Sequence, residues 1–425
     1  MADFLLATMS GDGHVNPFKP IARALVARGH RVRWYTGARY AAAVAATGAV
    51  HVPVTTEREM RGPQGVGTGL AHIRWGLKHI FIDPMPEQVA DLRRIVAEQP
   101  ADALVADISL LGAGALYELG GPAWVSVGIT PLPLPSKDTA PFGLGLPPGR
   151  SPAGRLRNRA LNVIGERVLL RDVRAHDRAV RARIGLPPRP GALMASISPS
   201  LHLQNRVAEF EYPRRDLPRQ VHFVGALADT GTGGDLPSWW PEMQANDRPV
   251  VHVTQGTVAT DLDHLVLPTI RGLAHENMLV VAGIGDRDPA SLGPLPANVR
   301  VAPFLPHDQL LPQLAAMVTN GGYGAVQKAL SHGVPLVVAG VTEDKPEVAA
   351  RVAWCGAGIN LRTGTPTAAA VATAVGALLD DPRYRTEARR LQRSYAAVDT
   401  GARVVELLEN LSVLPVAPAE GADGH

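Results

Sequence analysis

The sequence predicts an α/β protein of two doubly wound, Rossmann-like domains facing each other across a cleft. Three observations carry this expectation. Short apolar, strand-like runs alternate with helical stretches in two series, a Gly- and Pro-rich break separates the series, and each series holds a Gly-rich turn between a strand and a helix. The 425 residues suffice for two or three domains of ordinary size.

In chain order, residues 4–8 are a short apolar run ending in Ser-Gly-Asp-Gly, the pattern of a buried parallel strand. A helix is expected from Asn16-Pro17, because Asn can cap and Pro suits the first turn. Phe18, Ile21 and Leu25 recur at helical spacing and Gly29 ends the helix. Residues 31–35 read as the next strand and complete a βαβ unit. Residues 103–106 form another strand, followed by Asp107 and an apolar helix through Leu119; residues 124–127 precede a Pro-rich loop. The break spans 226–247, and the pattern then restarts. Strand 250–253 leads into Gln255-Gly256-Thr257, strand 279–282 follows, and 317–319 runs into Asn320-Gly321-Gly322-Tyr323-Gly324 and a helix. Residues 335–338 are again strand-like, and one helix is expected over 385–411. The expected division is a first domain 1–225, a linker 226–247, a second domain 248–384, and a C-terminal helix with tail, 385–425.

Composition excludes several classes. Hydrophobic residues at 46% and charged residues at 19% are ordinary for a globular core and far from disorder. The 42 Lys and Arg against 39 Asp and Glu leave only +3, and the Arg-rich stretch 150–183 is interrupted by Glu166, Asp172 and Asp177, so no nucleic-acid partner is expected. The single cysteine, Cys355, allows neither an intrachain disulfide nor a cysteine-based metal site and suits a reducing compartment. The first residues carry Asp3 and no basic residue, unlike a secretory signal. The longest uncharged stretch, 119–136, contains Pro122, Pro131, Pro133 and Pro135, which argues against a membrane span. A cytoplasmic monomer or homodimer is the expectation.

The turn Gly11-Asp12-Gly13-His14-Val15-Asn16 lacks the third glycine of a dinucleotide fingerprint, and no acid occurs over 31–56 to hold a ribose. It does place an imidazole, His14, at the carboxyl end of the first strand. Asp107 ends another strand of the same sheet. A carboxylate on one ring nitrogen would fix the tautomer and leave the other nitrogen as a general base. Asp107 as a helix N-cap and His14 as a structural residue remain the plainer alternatives. In the second half, glycines 321, 322 and 324 before a helix let backbone N–H groups approach an anion such as a diphosphate, unless they are only a tight turn. No Gly-Lys-Ser/Thr occurs, which excludes a P-loop hydrolase.

The segment GHVNPFKPIARALVARGHRV resembles the N-terminal signature of the GT-B glycosyltransferases that act on macrolides, antibiotics and plant secondary metabolites. FLPHDQLLPQLAAMVTNGGYGAVQKALSHGVPLVVAGVTEDKPEVAARVAWCGAGI resembles their nucleotide-sugar signature, so the resemblance spans nearly the whole chain. It implies that His14 is the base that deprotonates an acceptor hydroxyl and that Asp107 is its partner. It implies that Phe304 packs on a pyrimidine base, that His307 replaces a base-contacting Gln, and that Thr257 touches the diphosphate. Gly321, Gly322 and Gly324 would cradle phosphate and Asp344 would bond sugar hydroxyls. The chain departs from that pattern at Asn320, Ala325, Lys328 and Lys345, where the family usually has His, Ser or Thr, Glu and Gln. Asn320 can still donate a hydrogen bond, whereas Lys328 cannot accept one from a ribose but could attract phosphate.

The implied reaction is an inverting, metal-independent transfer of sugar from a UDP- or dTDP-sugar to a hydroxyl of a hydrophobic small molecule. Leu132, Leu134, Phe142, Leu144 and Leu146 are candidates to line the acceptor pocket, against the alternative of a loop covering the core. The altered residues leave two further readings open, a non-catalytic sugar-nucleotide-binding partner of another transferase and an epimerase that needs no acceptor.

Overall fold

The computed structural model describes residues 1–57, 69–149, 151–193, 196–228, 236–256, 261–285 and 287–412. Thirteen strands occur among them. The first sheet contains β1 (Asp3–Ala7), β2 (Arg31–Thr36), β3 (Val50–Pro53), β4 (Ala103–Asp107), β5 (Trp124–Gly128), β6 (Leu201–Gln204) and β7 (Val221–Phe223). The second contains β8 (Val250–Thr254), β9 (Leu279–Gly283), β10 (Val299–Ala302), β11 (Ala316–Thr319), β12 (Leu336–Val338) and β13 (Gly358–Asn360). The strand orders are 3-2-1-4-5-6-7 and 10-9-8-11-12-13, and the pairings are parallel. All five residues of β1, β4 and β5 are buried, as helices on both faces of a parallel sheet require.

Both orders reverse beside their first strand, at β1/β4 and at β8/β11, and chain leaving such neighbours diverges to opposite faces and opens a crevice. The register fixes what stands at each crevice. Ala7 pairs with Ala106, so Thr8 and Asp107 leave the first sheet side by side. Thr254 pairs with Thr319, so Gln255 and Asn320 leave the second sheet side by side.

Three expectations change. The helix expected from Asn16-Pro17 is Phe18–Ala27, but it starts from Pro17 without a side-chain cap, because Asn16 instead ends a separate helical turn, Asp12–Val15. His14 thus lies inside a helical turn. The single helix over 385–411 is likewise two, Pro382–Ala396 and Thr400–Ser412. Asp399 interrupts it by accepting the Ala402 N–H at 3.0 Å, the local competition by which Asp starts helices. Ala388, Leu391 and Tyr395 bury in the second domain, whereas Val404, Val405 and Leu408 cross back and bury with the first. Finally, the domain ends interleave. Val207 and Phe210, before the linker, and Trp240 and Met243, within it, all sit in the core of the second sheet. Each such buried side chain is worth roughly 1.5–3 kcal/mol, so the segment is anchored and not a free tether.

Candidate functional site

His14 and Asp107 are 93 residues apart in sequence and 2.6 Å apart in space, His14 Nδ1 to Asp107 Oδ2. Asp107 is fully buried, and its carboxylate is satisfied elsewhere too. Oδ1 accepts the Ser109 N–H at 2.6 Å and Oδ2 the Met9 N–H at 3.3 Å. The carboxylate therefore caps the turn after β4 and orients the imidazole at once. An ionised carboxylate only accepts, so Nδ1 of a neutral His14 carries the proton and Nε2 keeps a lone pair, the arrangement of a base awaiting a proton. The turn is braced from β2's side. Tyr40 donates to Asp12 Oδ1 at 2.8 Å and Arg39 Nη2 to Ser10 O at 2.8 Å.

Across the crevice, Asn320 is folded back on its own loop. Its Nδ2 donates to Gln255 O and its Oδ1 accepts the Gly322 N–H at 3.2 Å, so the side chain fastens the two phosphate-side turns together. Gly321 has φ of +86°, and a Cβ there would lie 2.9 Å from Val338 Cγ1; only glycine fits the turn without strain. The helix Tyr323–Ser331 follows with no side-chain cap, which leaves first-turn N–H groups, including that of Gly324, for an anion. Ala325 packs partly into the second core. Thr257 lies outside the described residues.

At the other end of this helix Lys328 reaches Asp308 Oδ1 at 3.4 Å, beside His307 and away from the glycine turn. His307 Nε2 is 3.2 Å from Nε2 of the buried His252, whose Nδ1 is 2.9 Å from Val281 O. Burial pushes both imidazoles down, to about 4 and about 3, so both are neutral at pH 7. Phe304, after the edge strand β10, is 62% exposed.

Asp344 precedes the helix Lys345–Trp354. Burial pushes its carboxyl up to about 6. Lys345 is pushed down to about 8 by burial and pairs with Glu343, a non-glycine residue held at φ +52°. Strain of that kind accumulates at sites whose surroundings enforce it.

The acceptor-side candidates divide. Leu132 and Leu134 are buried with Val221. The Arg214 guanidinium explains this, since it donates to Leu132 O at 2.7 Å and to Leu134 O and draws that stretch into the core. Phe142 and Leu146 are half-buried and Leu144 is 49% exposed.

Several residues of the crevice escaped sequence reasoning. Tyr323, the aromatic inside the glycine run, donates to Asn205 O at 2.6 Å and so ties the phosphate loop to the first domain. Glu211, Arg351 and Glu347 form a buried charge array between the domains. Only the aromatic among glycines offered a local signal.

Residues 265–411 match the family described as Erythromycin biosynthesis protein CIII-like, C-terminal domain. The chain is 48% identical over 423 residues to 4'-demethylrebeccamycin synthase of Lentzea aerocolonigenes, covering 96% of this chain and 99% of that one. It is 35% identical over 438 residues to UDP-glycosyltransferase 2 of Phaeomoniella chlamydospora, covering 96% and 95%. Among solved structures, the glycotransferase of kitacinnamycin superposes with a TM-score of 0.75 at 24% identity, covering 97% of this chain and 99% of that one, a likeness of fold. With two Rossmann-like sheets facing across a crevice and relatives matching along almost its whole length, the chain belongs to the GT-B glycosyltransferases of the natural-product type.

Proposed function

We propose that this enzyme transfers a sugar from a UDP- or dTDP-sugar to a hydroxyl of a hydrophobic small molecule, with inversion and without a metal. The observation that carries the reading is the His14–Asp107 pair at the ends of β1 and β4, in a chain whose second sheet ends in the glycine turn before the helix Tyr323–Ser331. His14 Nε2 takes the acceptor proton as the oxygen attacks the anomeric carbon from the face opposite the diphosphate. Asp107 holds the ring and stabilises the imidazolium that results. Charge builds on the leaving diphosphate, and the amides at the start of Tyr323–Ser331 meet it, as donors in an oxyanion hole do. Thr257 would add a hydroxyl there. Phe304 stacks on the pyrimidine, His307 reads its edge, and Asp344 with Lys345 contacts the sugar. Phe142, Leu144 and Leu146 form the apolar wall for the acceptor.

A non-catalytic auxiliary has no use for an oriented base, and the relatives are named as a synthase and a transferase. No helix among the described residues is long and apolar enough to cross a membrane, and a single cysteine fits a cytoplasmic setting, as monomer or homodimer.

The test is incubation with UDP- and dTDP-sugars and a panel of hydrophobic hydroxylated acceptors, with and without EDTA. Glycosylated product and free nucleoside diphosphate are followed by mass spectrometry. Product and diphosphate should appear together, only with acceptor, and at the same rate in EDTA. Diphosphate release or sugar isomerisation without acceptor would instead favour the epimerase reading.

Asp344 gives a pH prediction. Its folded value near 6 lies above its ordinary 3.8, so the folded enzyme binds this proton more tightly and loses stability as pH rises from about 4 through 6. Asp344→Asn should therefore unfold at a higher temperature than wild type at pH 8 without ligand. The sugar-dependent part of donor affinity, Kd of UDP-sugar against UDP, should weaken below pH 6 in wild type. In the variant it should be about tenfold weaker and flat with pH, the loss of one hydrogen bond to a charged group. Calorimetric titration at pH 5 and 8 reads both, and an unaltered pH dependence would remove Asp344 from the sugar site.

A further inference from the structure

We propose that Glu347 is a positioning residue that sets the acceptor wall, by latching the first domain's loop onto the second-domain helix whose start meets the sugar. The inference rests on the transferase reading above. Glu347 is the third residue of Lys345–Trp354, directly after Asp344, Lys345 and Pro346. Its carboxylate is buried, and Oε1 accepts two backbone N–H groups of the opposite domain, Gly143 at 2.9 Å and Gly145 at 2.8 Å. Both glycines have positive φ, +100° and +58°. Alternation of that kind turns successive N–H groups toward one point and makes a nest for an anion. Here the anion is the Glu347 side chain.

The other oxygen, Oε2, takes Arg351 Nη1 at 2.7 Å, and Arg351 grips Glu211 Oε1 through Nε at 3.0 Å and Nη2 at 2.7 Å. Glu211 and Arg214 also hold the near end of the loop, through the Leu132 N–H at 3.4 Å and the Leu132 carbonyl. Both ends of the acceptor loop thus hang on one buried charge cluster that straddles the domains. The fit is close. A Cβ on Gly145 would lie 2.7 Å from Pro346 O. Glu347 sits three residues along the helix from Asp344, about 5 Å of axial rise. Phe142, Leu144 and Leu146 are therefore placed relative to the sugar site by the helix that carries it, and an acceptor resting on them is delivered beside the anomeric carbon. Glutamine cannot replace this carboxylate, because its NH2 would face either the glycine N–H groups or Arg351, donor against donor.

The test compares full-length wild type, Glu347→Gln and Gly145→Ala. The second variant forces the loop off Pro346 and leaves the Arg351–Glu211 pair intact. In both, hydrogen exchange of the segment 140–149 should quicken tenfold or more and the acceptor KM should rise tenfold or more. The Kd of UDP and dTDP and the donor KM should stay within twofold. A loop that exchanges as in wild type, an acceptor KM that does not move, or a donor KM rising in step with the acceptor KM would each overturn the assignment. A wild-type protein with no acceptor-dependent turnover would overturn the transferase reading instead, and the latch would then stand or fall on the exchange measurement.

Discussion

Replacement of His14 by alanine should lower kcat for sugar transfer by about a thousandfold, or roughly 4 kcal/mol of transition-state free energy, which is what a positioned general base supplies. Nucleotide affinity should not change, because the residue stands on the acceptor side and its ring is tied to Asp107, not to the phosphate turn. Asp107→Asn should cost about a hundredfold or more by a different route. The amide can still bond Nδ1 but brings no charge to balance the imidazolium, and where it donates it imposes the tautomer with the proton on Nε2. Steady-state rates at saturating donor, together with calorimetric UDP and dTDP binding, separate these effects. Retention of a tenth or more of wild-type kcat in His14→Ala would place the base elsewhere.

The second large effect concerns stability. Glu211 is buried, which pushes its carboxyl up, yet Arg206, Arg351 and Arg214 together outweigh burial and hold it down at about 2. The ordinary value is 4.5, so the folded state binds fewer protons between the two. The stabilisation is complete above pH 4.5 and is lost as pH falls through 2; a depression of that size corresponds to about 3 kcal/mol. Glu211→Gln removes the negative partner that Arg206 and Arg214 share with Arg351, and breaking a buried ion pair by deleting one partner costs about 3–5 kcal/mol. The two routes agree in scale. Calorimetric or urea unfolding should show a loss of that order at pH 7, and the acid limb between pH 4.5 and 2 should flatten in the variant. A change under about 0.5 kcal/mol would show that the arginines find equivalent partners without Glu211.

Much of the fold was legible because central parallel strands announce themselves. β1, β4, β5, β8, β9 and β11 are short apolar runs followed by turn residues, and burial on both faces demands that composition. The edge strands β3, β7, β10 and β13 and the inner strand β6 carry no such signal, since each is a run of only three or four mixed residues. The break of the C-terminal helix was visible as Val398-Asp399-Thr400-Gly401, but the apolar periodicity on either side masked it.

The same division runs through the site. The chemistry on offer belongs to the sequence: a histidine in a glycine-rich turn after one strand, an acid after another, and a glycine run before a helix, because type and spacing there depend on local backbone demands. Which residues meet is a matter of strand order and domain closure. His14 reaches Asp107 because β1 lies beside β4 in register. Leu132 and Leu134 share their composition with Leu144 and Leu146, but an Arg214 guanidinium draws the first pair into the core and leaves the second pair more open. Glu347 and Gly143 are 204 residues apart, and Glu211 and Arg351 are 140 apart. Such contacts leave no periodic trace in the chain, since a buried charge is tolerated only where a distant partner happens to be folded against it, and only the tertiary structure decides that.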